Sequence, residues 1–162
     1  MTENPLLAPW TAAPFGLPPF DRIEAAHFPP AFAQATAAHR AEIAAIGAGP
    51  APPGFANTVE ALERAGAPLR RIAACFFNLV SSQSGPALQA VEREVAPLLA
   101  RHRAEVALDQ GVFRRVAALH AMRGGLALAP DGARLLDRLH AGLVRAGAGL
   151  DAAGRERLAV IS

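Results

Sequence analysis

From Phe28 onward, large apolar side chains recur at intervals of three and four residues, whereas residues 4–30 carry apolar side chains with no period and seven prolines among them. Proline fixes its own φ and biases the preceding residue toward extended conformations, so this opening stretch cannot form a long helix. With Leu6, Leu7, Trp10, Phe15, Leu17 and Phe20 it is too apolar for a solvated tail, and it reads as an extended Pro-rich arm over residues 1–29. The helical spacing then begins. Phe32, Ala35, His39, Ile43 and Ile46 predict a first long helix from Pro30, stopped by Gly47, Gly49 and Pro50.

Asn57 with Glu60 three residues on suggests a capping box for a second helix. Val59, Leu62, Leu69, Ile72, Phe76 and Leu79 continue its stripe to about Ser82, with Gly66 and Pro68 marking a kink or break. Pro86 suits an early helical position, and Leu88, Val91, Val95, Leu98, His102 and Val106 carry the next stripe. Asp109 is a candidate cap for a helix with Phe113, Val116 and Leu119 inward, ended by Gly124 and Gly125. Pro130 opens another, with Leu135, Leu136, Leu139, Leu143 and Val144 as its apolar face, and Asp151 starts a last one. No run alternates with period two, so the expected fold class is all-α. Short connections predict an antiparallel bundle or array of five to six helices over residues 30–162, following the arm.

Composition narrows the picture. The hydrophobic share of 52% includes 39 alanines, leaving a modest set of larger side chains for a core. There is no Lys, so all 16 basic side chains are Arg against 14 acids, and the net charge of +2 speaks against a dedicated nucleic-acid binder. A single Cys75 excludes an intrachain disulfide framework and fits a reducing compartment. No run reaches the roughly 20 apolar residues of a membrane span, and the first residues lack the basic and apolar regions of a secretory signal. The expected setting is cytoplasmic, without membrane or nucleic-acid partners; the oligomeric state stays open.

The candidates for metal or acid–base chemistry are His27, His39, His102, His120 and His140. None is followed by Glu or has another His three or four residues on, so the His-Glu-x-x-His helix that binds zinc from one face is absent. His39 and His102 lie on apolar stripes and read as hydrogen-bonded core or boundary residues; His140 follows Asp137 by three, a possible helix-surface pair. Cys75 beside Phe76 reads as a buried, inert thiol. The Ser81-Ser82-Gln83-Ser84-Gly85 run lacks a nucleophile elbow and reads as a helix cap, and Gly124-Gly125 belongs to no phosphate loop. Arg70-Arg71, Arg101-His102-Arg103 and Arg114-Arg115 read as solvated faces. No catalytic, cofactor-binding or metal residue is assigned.

Several stretches in order nevertheless carry a resemblance: Asn4-Pro-Leu-Leu-Ala-Pro-Trp10, Pro14-Phe-Gly-Leu-Pro-Pro-Phe-Asp-Arg-Ile23, Phe28-Pro-Pro-Ala-Phe32, Phe55-Ala-Asn-Thr-Val-Glu-Ala-Leu-Glu63, Phe76-Phe-Asn-Leu79 and Gln89-Ala-Val-Glu-Arg-Glu-Val-Ala-Pro97. Together they resemble the start of the zinc metallo-oligopeptidases, the family of oligopeptidase A, peptidyl-dipeptidase (dipeptidyl carboxypeptidase) and thimet oligopeptidase. The resemblance implies a nearly all-helical N-terminal region that forms part of the wall of a channel admitting short peptides. It also implies that zinc and its ligands belong to a later catalytic domain, so that this chain alone is inactive. On that expectation the chain stops before the zinc domain, and the arm packs partly on the absent part. The alternative is a stand-alone helical module that binds peptides or proteins without cleaving them.

Overall fold

A computed structural model describes residues 4–12, 14–83, 85–151, 153–154 and 157. The all-α expectation holds: the described residues contain no strand and form five helices of 12 to 22 residues. In chain order these and one short helix are α1 (Phe28–Gly47), α2 (Ala61–Arg64), α3 (Ala67–Ser82), α4 (Pro86–Ala107), α5 (Gln110–Ala121) and α6 (Pro130–Arg145). The helix expected from Asp151 falls largely outside the described residues, as does Ser84. No helix among the described residues is long and apolar enough to cross a membrane.

Local chemistry accounts for most boundaries. Helix α1 starts two residues before the expected Pro30, because Pro29 and Pro30 sit in its first turn, where a missing N–H costs nothing. Asn57 does not cap a helix in the expected way. It lies inside a π-helical turn, Phe55–Glu60, where its Oδ1 accepts from Gly54 N at 2.7 Å and its Nδ2 donates to the Pro52 carbonyl at 3.0 Å. Glu60 instead pairs with Arg64 at 3.2 Å on the surface. The turn runs into α2, and the expected break is at Gly66, whose φ of 71° favours a residue without a Cβ. A Cβ there would also come within 2.9 Å of the His39 ring. Asp109 caps α5 as expected, accepting from Val112 N at 2.8 Å.

The chain divides into two compact units. One holds the described residues of Met1–His39 together with Gly66–His102. Its core is aromatic: Phe28 and Phe32 from α1 enclose Phe76 of α3, with ring centroids 4.8 and 5.5 Å apart, the second pair edge-on. Ile72, Cys75, Val91, Val95 and Leu99 complete it. Leu6 and Trp10 of the arm are buried in this same core. The arm is therefore not one extended strand; it folds through short 3-10 turns at Trp10–Ala12, Pro14–Gly16 and Ala25–His27. Asn4 Nδ2 donates to the His27 carbonyl at 2.8 Å, and Trp10 Nε1 donates to the Pro5 carbonyl at 3.0 Å.

The other unit holds Arg40–Ala65 and the described residues from Arg103 onward. Here α5 packs on α6, and Ile43, Val59, Val112, Val116, Leu119, Leu136 and Leu143 form the core. Val144, expected on the inner face of α6, is instead 47% exposed. Leu143 occupies the inward position beside it, and adjacent helical residues point about 100° apart.

Candidate functional site

The polar side chains that could carry chemistry include two histidine pairs and two built-in arginines. His39 on α1 and His102 on α4 meet with Nδ1 and Nε2 2.9 Å apart, so one ring donates and the other accepts. This bears out the reading of both as hydrogen-bonded interior or boundary residues. Each is a polar residue on the apolar stripe of a different helix, and that shared anomaly is the sequence signal that could have paired them. His27 accepts at Nδ1 from Glu24 N at 3.0 Å, turning the chain into α1.

His140 does not pair with Asp137. His120 of α5 takes that carboxylate, at 3.1 Å, with Arg123 Nε 3.7 Å from the same oxygen. His140 instead stacks face to face on His120, ring centroids 4.0 Å apart and planes within 10°, and Phe113 extends the stack at 6.3 Å. Burial pushes the His140 imidazole below its ordinary value, His120 and Arg123 push it the same way, and Asp137 opposes them. Parallel rings aim their nitrogens side by side, not at a common point. Among the described residues no three His, Cys, Asp or Glu converge on a possible ion, so they do not fit the zinc that the family resemblance implies.

Two arginines read as solvated are structural. Arg115 is only 7% exposed, and its guanidinium gathers the segment from Gly49 to Thr58. Nη1 donates to the Gly49 and Ala51 carbonyls at 2.9 and 3.0 Å, Nη2 to Asn57 Oδ1 at 2.9 Å, and Nε to Thr58 Oγ1 at 3.2 Å. Its place was legible in principle, since Val112, Arg115, Val116 and Leu119 share three- and four-residue spacing. Arg71 of α3 lies 4.3 Å over the Trp10 ring and donates to the Ala8 carbonyl at 3.1 Å, fastening the arm. Arg101 and Arg103 are exposed, as expected.

Cys75 is buried and its thiol pKa is pushed up by burial, which fits an inert thiol. Ser81 and Ser82 both donate to the Asn78 carbonyl, at 2.9 and 2.8 Å, closing the last turn of α3. Beside them a cleft of about 470 Å³ is floored by Ile23, Phe28, Leu79 and Leu88 and rimmed by Asn78 and Gln83. Phe20, 47% exposed, stands at its edge, and Phe15 and Leu17 of the same arm are 99% and 55% exposed. Phe15 also holds a left-handed backbone (φ 59°), an unfavourable conformation for a bulky side chain.

No family model matches the chain. It is 36% identical over its full 162 residues to a dipeptidyl carboxypeptidase of Salmonella typhimurium, and 35% identical over 161 residues to one of Escherichia coli. In both comparisons the chain spans about a quarter (24%) of the relative's length.

Proposed function

Because the chain is homologous along its whole length to a stretch of the dipeptidyl carboxypeptidases, we propose that it is the N-terminal helical region of a metallopeptidase acting on short peptides. The carrying observation is 36% identity sustained over all 162 residues, against relatives about four times as long. In this reading the arm of residues 1–29 and the helices of 30–162 precede a catalytic domain that supplies zinc, its ligands and the general base. The region itself contributes wall to the peptide channel and no catalytic residue. The setting is cytoplasmic and the partners are short peptides and the catalytic domain.

Phe15, Leu17 and Phe20 form the contact surface in this reading. Leaving such side chains in water forgoes roughly 1.5–3 kcal/mol each compared with burial. The occupant proposed for this edge is the remaining three-quarters of a full-length peptidase, because the relatives carry that much chain outside the matched region.

Two experiments test the function. Zinc analysis and a quenched-peptide cleavage assay on the isolated chain are expected to show neither tight stoichiometric metal nor turnover; metal-dependent turnover would refute the division of labour. Replacing the homologous stretch of the Salmonella enzyme with this chain is expected to leave peptide cleavage intact. A folded, soluble, zinc-loaded chimera without activity would sink the channel-wall assignment.

A further inference from the structure

We propose that the contact between α5 and α6 is an acid-sensitive clamp, in which the stacked imidazoles of His120 and His140 hold the two helices together while at least one ring is neutral and loosen them when both are protonated. The inference stands on the geometry of the second unit alone and does not depend on the peptidase reading.

Four observations carry it. The rings lie 4.0 Å apart with planes within 10°, a geometry in which two neutral rings, or one neutral and one charged, attract by stacking. Two imidazolium ions at that separation repel. The rings also come from different helices, so this repulsion acts directly across the α5–α6 packing. The surrounding charge is not sufficient for two protons: among the described residues Asp137 of α6 is the carboxylate that faces the stack, and it is already shared between His120 at 3.1 Å and Arg123 at 3.7 Å. Arg123, from the turn after α5, adds a further positive charge. His140 also stacks near Phe113, ring centroids 6.3 Å apart, an apolar ring that offers a second imidazolium no hydrogen bond.

The sign follows from the direction of the His140 shift. Its folded value is depressed, first by burial and then by His120 and Arg123, so the folded chain binds fewer protons than the unfolded chain as pH falls below about 6.5. The stability contributed by neutral His140 is fully present above that unfolded value and is lost as pH falls through the folded one. Loosening of the clamp would then expose the inner face of α6, where Leu136 and Leu143 are buried.

The experiment follows the imidazole ring signals of the full chain by NMR through a pH titration, alongside thermal unfolding at pH 7 and pH 5. In the wild-type chain the His140 midpoint is expected below the ordinary imidazole range, with a lower thermal midpoint at pH 5 than at pH 7. His120→Gln removes the neighbouring charge and should raise the His140 midpoint. Asp137→Asn removes the one opposing group and should lower it further. His120→Phe keeps a ring in the stack without a charge; it should raise the His140 midpoint and flatten the acid loss of stability, a result that simple loss of packing could not give. Unshifted His140 titration in all three folded variants would overturn the proposal, as would an acid loss of stability undiminished in His120→Phe.

Discussion

Arg115 shows how much one side chain can organise. Four of its hydrogen bonds reach residues 57 to 66 positions away and hold the segment from Gly49 to the π-helical turn. Arg115→Met is expected to remove the side-chain donor from the Gly49 and Ala51 carbonyls and one hydrogen bond each from Asn57 and Thr58, which keep their bonds to Gly54 and to each other, at a cost of about 2–4 kcal/mol in urea unfolding. Arg115→Lys should recover little, because a single ammonium cannot reproduce the planar fork. Arg114→Ala, on the exposed neighbour, should stay within about 0.5 kcal/mol; equal costs at 114 and 115 would refute the assignment. The buried Cys75 makes a second residue-scale test. Its raised pKa leaves less thiolate at any given pH than an ordinary cysteine has, so disulfide-exchange labelling at pH 8 should be slow in the folded chain and rise sharply in denaturant. Fast labelling of the native chain would contradict this.

Between elements, two glycines make a close backbone approach. A Cβ at Gly111, in the first turn of α5, would lie 2.9 Å from Gly47 Cα at the end of α1, and a Cβ at Gly47 would lie 3.1 Å from Gly111 Cα. Both obstacles are backbone, which cannot move aside as a flexible side chain could. Gly111→Ala is expected to destabilise by about 1–3 kcal/mol in chemical denaturation even though alanine is the better helix former. Gly142→Ala, with nothing near its Cβ, should instead stabilise α6 by roughly 0.5–1 kcal/mol. A gain at both positions would mean that the α1–α5 approach is looser than described. The sequence marks Gly47 as a helix stop, but nothing local at Gly47 or Gly111 announces that their backbones touch.

Across the whole molecule, two separate cores account for nearly all the large apolar residues of the helical stripes, while the edge formed by Phe15, Leu17 and Phe20 stays in water. Replacing those three residues together with Ser is expected to lower binding of an apolar-surface dye several-fold and leave the thermal midpoint nearly unchanged, since they support neither core. A large fall in stability would mean that they pack within this chain. The helices, their order and most of their ends were legible in the sequence, because spacing, prolines and caps act within a few residues of where they stand; Asp109 and Pro130 needed no distant partner to mark a boundary. Burial of Leu6 and Trp10 in the core with Phe76 was not legible in this way. An apolar arm without periodicity has no preferred face until a partner such as Arg71 presents one.

The sequence by itself determined the all-α class, the break at Gly66, the inert placement of Cys75 and the resemblance to the start of the zinc metallo-oligopeptidases. Only the tertiary structure decided which polar groups meet: His39 with His102, His120 with His140, and Arg115 with the loop before the π-helical turn. The physical reason is range. Helix periodicity and capping are settled by neighbours one turn away, whereas a buried charge or imidazole must find its partner wherever packing brings a second polar group into reach, here up to 66 residues along the chain.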